Sequence, residues 1–171
     1  MQTSAHAADR AYSSPHPATI ATSAWAEGLP ECVLVDDADA VVVASHTERA
    51  IAAAQVLALY RAAQRWPERT PEQIDLVLRG SPAVGAWHGE QLIGFARAVT
   101  DGVLRAYVED VIVAPSRRGS GIGQAVLDRL IQELGAIPVV TLFCSPDLVR
   151  YYEANFFLAT RQVVMHRSSR N

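Results

Sequence analysis

The stretch that decides the fold reads Val111-Ile112-Val113-Ala114-Pro115-Ser116-Arg117-Arg118-Gly119-Ser120-Gly121-Ile122-Gly123-Gln124-Ala125-Val126-Leu127. It begins as a β-branched run typical of a buried strand and ends with the apolar spacing of an amphipathic helix. Glycines at this junction let the backbone approach a ligand, and the first amides of the helix have no internal partner. The stretch therefore predicts a phosphate-binding turn, the alternative being a glycine-rich turn without a ligand.

Two other glycine-rich phosphate sites do not fit these residues. A dinucleotide fold needs an early strand and an acidic residue about twenty positions on, and an NTPase loop needs Gly-Lys-Ser/Thr, which the sequence lacks. The stretch instead resembles the acetyl-CoA-binding motif of the GNAT superfamily of N-acetyltransferases. The resemblance extends from Val41 to Val164 and is close from Val108 to Leu134.

The resemblance implies where acetyl-CoA binds. The pantetheine arm and acetyl group would lie along Val111, Ile112 and Val113, where one strand splays from the next. The pyrophosphate would lie on the main-chain amides of the loop and helix start, formed by Arg118, Gly119, Ser120, Gly121, Ile122, Gly123 and Gln124. A splayed strand leaves its amides and carbonyls unpaired unless a ligand fills them, which gives the assignment a physical basis.

The remaining pattern predicts the order β-α-α-β-β-β-α-β-α-β. A strand covers 40–45, a helix capped by Ser45 or Thr47 follows to about residue 63, and a second covers 72–78. Hairpin strands cover 83–88, 92–100 and 104–113, a helix covers 124–134, and a strand covers 139–144. A helix from Pro146 or Asp147 to Asn155 precedes a last strand over Thr160–His166. The fold class is α/β: a mixed, mostly antiparallel sheet of six to seven strands with about four flanking helices.

Three residues are candidates for the chemistry. Glu109 and Asp110 end the strand that leads into the cofactor stretch, and this part is similar to polyamine acetyltransferases, where acidic residues lie beside the amine. Because neighbouring strand residues point to opposite faces, we expect one of the two to line the cleft, Glu109 as general base with Asp110 in reserve. The alternative is that both carboxylates only face solvent or form ion pairs. Tyr152 matches the family's Phe-Tyr-Glu segment and would protonate the coenzyme A thiolate, whereas Tyr151 is expected in the core.

The sequence departs from the family pattern at two points. Phe156 stands where a glycine is expected after the last helix, so we expect Asn155 to take the positive φ instead. Ser145 stands where the family often has an asparagine that touches coenzyme A. We count Ser145 as a cofactor contact in place of that asparagine.

Composition narrows the classes of function. The chain has 171 residues, half of them hydrophobic, and a formal charge of −3 with scattered basic residues. Nucleic acid and anionic membrane are therefore not expected partners, and no apolar run reaches the roughly eighteen residues of a membrane span. Cys32 and Cys144 are far apart, and no histidine has a second ligand at metal-binding spacing, so we expect no metal and a reducing cytoplasm. We expect a flexible tail over residues 1–30 and one acetyltransferase domain over 31–171, a transit peptide being the alternative for the tail.

These observations predict direct acetyl transfer from acetyl-CoA to a primary amine, with a small molecule as the favoured acceptor. A protein N-terminus or lysine, a longer acyl donor, and a non-catalytic acyl-CoA sensor of the same fold remain alternatives. Dimerisation through the edge of the last strand and a monomeric state both remain open.

Overall fold

The computed structural model describes residues 40–167, so the predicted N-terminal tail lies outside the described range. The element order follows the prediction up to the last helix. The strands are β1 (Val41–Ser45), β2 (Ala83–His88), β3 (Gln91–Thr100), β4 (Arg105–Val113) and β5 (Val139–Leu142). The helices are α1 (Ala53–Ala62), α2 (Pro71–Gly80), α3 (Ile122–Leu134) and α4 (Val149–Ala154), with short 3₁₀ turns at Pro115–Arg117 and Pro146–Leu148.

The strands form one sheet in the order β1-β2-β3-β4-β5. The first four are antiparallel neighbours, and β5 runs parallel to β4 because α3 crosses over between them. The predicted mixed, mostly antiparallel sheet is confirmed, with five strands in residues 40–167 rather than six or seven. Two tight connections with glycines at positive φ, Gly89 and Gly102, join β2 to β3 and β3 to β4.

Helices cover both faces of the sheet. One face packs against α1 and α2, where Tyr60, Trp87 and Phe95 are almost wholly buried. The other packs against α3, whose Val126 and Leu130 are fully buried because the helix has apolar residues on one side. Each such side chain contributes about 1.5–3 kcal/mol through burial. The aromatic residues Trp87 and Phe95 therefore hold the sheet to its helices.

The local sequence predicts the start of α2 correctly but not the start of α1. At α2, Thr70 and Gln73 form a capping box and Pro71 occupies the first turn, as that proline predicts. The predicted cap of α1 by Ser45 or Thr47 is wrong, because α1 begins only at Ala53 and residues 46–49 form a turn. Ser45 instead binds Glu48 through its amide (2.8 Å) and its hydroxyl (3.1 Å).

The last predicted strand is not formed. Residues Thr160–His166 are irregular and exposed, with Val163 83% and Met165 89% accessible. Alternating residues favour a strand only where a neighbour supplies a hydrogen-bonded ladder, and β5 is just four residues long. The outer edge of β5 consequently has no strand partner within residues 40–167.

The turn after α4 also differs from the sequence expectation. Phe156, not Asn155, adopts the positive φ, at +65°, while Asn155 remains at −100°. Asn155 is held there because its side-chain amide donates to the carbonyl of Tyr151 at 2.7 Å. Phe156 thus takes a backbone conformation that non-glycine residues rarely adopt. The residue is 97% exposed.

Candidate active site

The glycine loop and the start of α3 form an open cradle of backbone amides. Gly119 and Gly121 have φ values of +77° and +85°, and Gly121 is the N-cap of α3 without a side-chain cap. A Cβ added to either would meet no atom within 4 Å, so the surface in front of these residues is clear. Ala125 is the first amide seen to donate back, to the carbonyl of Gly121 at 3.0 Å. The amides of Ile122, Gly123 and Gln124 precede that bond and suit an anion.

Side chains around the loop point away from this cradle or lie in solvent. Ser120 donates its hydroxyl to the carbonyl of Arg117 at 2.6 Å, and Gln124 donates its side-chain amide to Asp128 at 2.8 Å. Arg118 is exposed at the mouth of the loop, and the Arg117 guanidinium lies 3.4 Å from Nδ1 of His88. An anion here would therefore meet main-chain donors first.

Strand β4 has an open edge beside this cradle. Its pairing with β5 ends at Val108 opposite Leu142, whereas its pairing with β3 continues to Val113. The backbone amide of Ala114 donates to the carbonyl of Ile93 on β3 at 2.8 Å. Because donors alternate along an antiparallel strand, Val111 and Val113 direct their amides and carbonyls to the open edge, and Ile112 directs its own toward β3. The pairing of β4 with β5 thus ends before Val111, where the sequence predicts a splayed strand.

A β-bulge brings both candidate carboxylates to one face. Phe95 pairs with Ile112 and Arg97 pairs with Glu109, so between these two pairs β4 contains one more residue than β3. Within this bulge, Asp110 adopts a φ of +59°. The expectation that Glu109 and Asp110 point to opposite faces is therefore wrong. Arg97 contacts both, through Nε to Asp110 at 2.5 Å and through Nη2 to Glu109.

Arg69, from the α1–α2 connection, completes this cluster. It binds Asp110 at 2.8 Å and the Tyr60 hydroxyl at 3.0 Å, and it lies 3.7 Å from Glu109. Its guanidinium also stacks on the rings of Trp66 and Tyr60, at 4.4 and 5.2 Å from the ring centroids. Although burial works against the charged form, the hydrogen bond and charge of Asp110 raise the pKa of Arg69.

The two carboxylates differ in access. The Asp110 side chain is completely buried, and its Oδ1 has no hydrogen-bond partner among the described residues. The Glu109 side chain retains 28% exposure. Both carboxylates form ion pairs, as the alternative interpretation of the sequence predicts, and of the two only Glu109 is also exposed to solvent.

Tyr152 and Tyr151 both lie on α4, beside the gap between β4 and β5. Tyr152 is buried in the core under α3, and its ring contacts those of Tyr151 and Phe157 edge-on. Burial, followed by the neighbouring Tyr151 and Cys144, raises the pKa of Tyr152 to about 12. Tyr151, expected in the core, is only partly buried and extends toward α3. Ser145 is exposed and occupies the N-cap position of the short 3₁₀ turn before α4, without a side-chain capping hydrogen bond.

A shallow groove lies where the β3–β4 connection meets β5. Its volume is about 310 Å³. The Tyr107 and Phe143 rings, 4.9 Å apart, form part of its wall. Burial and then the charge of Glu109 raise the pKa of Tyr107, which places that ring beside the acidic cluster. The other lining residues are Val99, Thr100, Asp101, Arg105, Ala106 and Thr141.

Sequence reasoning missed Arg69, Trp66 and Tyr60. Arg69 lies between two prolines that indicate only a connection, and nothing in its neighbourhood predicts contact with β4. Within residues 40–167, no group of three or more metal-ligating side chains comes together. The helices of the same range include none long and apolar enough to cross a membrane.

Comparison with known proteins agrees with this geometry. Residues 53–156, more than half of the chain, match the acetyltransferase (GNAT) family, so the chain belongs to that family. The resemblance stated from the glycine stretch is thereby confirmed.

Individual relatives match over part of their length. The chain is 33% identical over 114 residues to serotonin N-acetyltransferase 2, chloroplastic, from Oryza sativa subsp. japonica, covering 60% of this chain and 57% of that protein. It is 32% identical over 101 residues to histone acetyltransferase TAP1 from Glycine max, covering 51% and 44%. The chain thus spans about half the length of these relatives. A GNAT family acetyltransferase from Streptococcus pneumoniae TIGR4 shares the fold, with a TM-score of 0.62, 24% identity, and coverage of 75% of this chain and 99% of the other.

Proposed function

We propose that this protein is an acetyl-CoA-dependent N-acetyltransferase that transfers the acetyl group directly to a primary amine of a small molecule. The observation that carries the proposal is the open edge of β4 beside the uncapped, glycine-lined start of α3. These two features offer main-chain partners for an amide-containing arm and for a pyrophosphate on one continuous surface. Both features fit acetyl-CoA.

In the proposed complex, backbone groups of Val111 and Val113 hold the pantetheine arm, with Ile112 anchoring the strand between them. The loop from Arg118 to Gln124 holds the pyrophosphate, through the amides that follow Arg118, because the Arg118 amide already donates to the carbonyl of Pro115 at 3.5 Å. Exposed Ser145 contributes a hydroxyl from the opposite side of the gap. When bound, acetyl-CoA supplies an acetyl group activated as a thioester. The free amides of β4 are also placed to stabilise negative charge on the acetyl oxygen.

The proposed acid and base are chosen from the solvent exposure of the two carboxylates and from the pKa of Tyr152. Glu109 is the proposed base for the attacking amine, because its carboxylate is partly exposed to solvent, whereas Asp110 is enclosed and remains in reserve. As the N–C bond forms and the C–S bond breaks, Tyr152 donates a proton to the departing sulfur. A phenol with a pKa near 12 is protonated at neutral pH and so is available as an acid.

A small-molecule acceptor is favoured by the partly exposed carboxylate of Glu109, which attracts a cationic amine. The groove at the β3–β4 connection, with a volume of about 310 Å³, is at the lower end of the range for small-ligand pockets. Its Tyr107 and Phe143 rings provide apolar surface, and Tyr107 lies two residues before Glu109 on β4. The relatives' names include both a serotonin and a histone acetyltransferase, so a protein lysine or N-terminus is the second acceptor class to test.

Assembly and compartment are further parts of the proposal. The outer edge of β5, which has no strand partner among the residues that the structure describes, supports a homodimer, and molar mass measured by light scattering tests this directly. The proposed compartment is the cytoplasm, since Cys144 is an exposed free thiol suited to reducing conditions. Two of the matched relatives carry the word chloroplastic in their names, so fractionation of the source cell should include any plastids.

Calorimetric titration with acetyl-CoA, followed by thiol release against small amines and lysine-containing peptides, tests the proposed function. We expect micromolar binding, and thiol release with small amines exceeding that with peptides. Glu109→Gln should bind acetyl-CoA normally but release thiol about a hundredfold more slowly. Binding without release by wild type on any amine would favour the acyl-CoA sensor, and absence of binding would reject the proposal.

A further inference from the structure

Arg97 joins the two carboxylates of the β4 bulge through different nitrogen atoms. Its Nε donates to Oδ2 of Asp110 at 2.5 Å, and its Nη2 donates to Oε2 of Glu109. The two hydrogen bonds leave one planar guanidinium in fixed directions, so the place of one carboxylate depends on the other. A lysine would present a single point charge and would hold neither direction.

The bulge makes this double contact possible. Arg97 pairs with Glu109 across β3 and β4, and Asp110 is the next residue of β4, at a φ of +59°. In a regular strand, neighbouring side chains point to opposite faces of the sheet, out of reach of one guanidinium. The extra residue of β4 therefore links Glu109 to a buried charge.

The end of this link at Asp110 is fixed. The Asp110 side chain is completely buried and also accepts a hydrogen bond from Arg69 at 2.8 Å. The Arg97 side chain is only 9% exposed, so its guanidinium is held between the sheet and Asp110 and keeps Nη2 directed at Glu109. Without this contact, the longer and partly exposed Glu109 side chain would sample several rotamers.

One oxygen of Glu109 is occupied by this contact and the other is not. Oε2 accepts the hydrogen bond from Arg97. Oε1 accepts none within residues 40–167, and the nearest cationic nitrogen, Nη2 of Arg69, lies 3.7 Å away. A general base needs a lone pair that is directed at the proton it removes. The carboxylate is thus held by Oε2, and Oε1 keeps its lone pairs for a substrate.

We propose that Arg97 is a positioning residue for acetyl transfer, which holds Glu109 by Oε2 so that Oε1 receives the proton of the attacking amine. The inference rests on the proposed function, because it requires Glu109 to be the base. As the N–C bond forms, the electron pair of the broken N–H bond stays on nitrogen and the proton passes to Oε1. Arg97 keeps its own protons and its charge throughout.

A double-mutant cycle separates positioning from a purely structural role. Arg97→Lys keeps a positive charge but loses the forked contact, so we expect kcat to fall about tenfold to a hundredfold. In a Glu109→Gln background no base is left to position, and the same substitution should change kcat by less than about twofold. A structural role would lower kcat by the same factor in both backgrounds. Acetyl-CoA affinity, measured by calorimetry, should stay within about twofold of wild type in all of these variants.

Arg129→Lys is the matched control. Arg129 also contacts two carboxylates, those of Glu48 at 2.6 Å and Glu133 at 2.7 Å, but it lies on α3 outside the proposed site. Its replacement removes a forked contact of the same kind, and kcat should remain within about twofold of wild type.

Glu109→Asp gives a second test that leaves the buried contact between Arg97 and Asp110 in place. The carboxylate is kept but lies one methylene further from Nη2, so kcat should fall about tenfold while the melting temperature stays near that of wild type. Wild-type kcat in Arg97→Lys or in Glu109→Asp, or equal losses in both arms of the cycle, would overturn the inference and leave acetyl transfer itself standing. Wild-type kcat in Glu109→Gln would reject both the base and its positioning. Failure of wild type to release thiol with any amine would instead remove the proposed function.

Discussion

The guanidinium of Arg69 lies 2.8 Å from the buried carboxylate of Asp110, 41 residues away in sequence. Arg97 binds the same carboxylate oxygen, Oδ2, through its Nε. The contact joins the α1–α2 connection to the bulge of β4, next to the residues proposed to bind the cofactor. The buried Asp110 carboxylate has two cationic partners, so the loss of its charge leaves two buried guanidinium groups without a counter-ion and destabilises the fold.

Neutralising Asp110 should therefore cost far more stability than neutralising Glu109. Asp110→Asn keeps the shape and tolerates the positive φ, yet we expect the free energy of unfolding to fall by about 3 kcal/mol. Glu109→Gln, at a partly exposed side chain, should change it by about 1 kcal/mol or less. Urea denaturation of both variants measures the difference. Equal losses would show that Glu109, too, is principally a structural ion pair.

Local chemistry made much of the fold predictable. Strand β2 has the bounds expected from the sequence, and Pro71 and Gly135 mark a helix start and a helix end because their backbone preferences act on their own residues. The cradle at Gly121 was predictable for the same reason.

Features that depend on distant partners were not predictable. The bulge at Asp110 is stabilised by Arg69 and Arg97, and a period-two pattern cannot show an extra residue in one strand. The strand predicted over Thr160–His166 is wrong for the opposite reason: its alternating pattern suits a strand, but no partner strand lies beside it among the described residues. The orientation of Tyr151 depends on its packing beside Tyr152 and Gly123, which the local sequence does not indicate.

A negative charge in the cradle should abolish cofactor binding. Gly121→Glu places a carboxylate in front of the α3 amides, where it repels a pyrophosphate and competes for its donors. Gly102→Glu is the matched control, because Gly102 also has a positive φ and open space around its Cα. Calorimetry should show no acetyl-CoA binding to the first variant and near-normal binding to the second. Comparable losses in both would indicate a general effect of backbone strain.

The β3–β4 connection should have a pH-dependent stability. The carboxylate of Asp101 accepts hydrogen bonds from the amides of Arg105, Val103 and Leu104, and these lower its pKa to about 2. A lowered pKa means that the stabilisation is present above the ordinary pKa near 4 and is lost as the pH falls through 2. Asp101→Ala should melt below wild type at pH 7, and the gap should close by pH 2. A gap that is independent of pH would assign the effect to the turn rather than to the charge.

Glycine at position 156 should stabilise the protein. Phe156 holds a φ of +65° with an exposed ring, so Phe156→Gly relieves backbone strain and gives up little packing. Phe156→Ala removes the ring but keeps a Cβ, which isolates the backbone contribution. We expect the glycine variant to exceed the alanine variant by about 1 kcal/mol in urea denaturation. Alanine equalling glycine would show that the turn rearranges when the ring is removed.

Removing the Tyr152 hydroxyl should slow acetyl transfer without weakening the cofactor complex. The ring of Tyr152 packs in the core under α3, so phenylalanine preserves its contacts, and the lost atom is the proposed proton donor to the departing sulfur. We expect kcat to fall about tenfold to a hundredfold while acetyl-CoA affinity, measured by calorimetry, remains close to wild type. Because burial keeps this phenol protonated up to about pH 12, the wild-type rate should show no alkaline loss from Tyr152 below pH 10. An unchanged kcat would show that water or another group donates the proton. A parallel loss of acetyl-CoA affinity would show that Tyr152 helps to bind the cofactor.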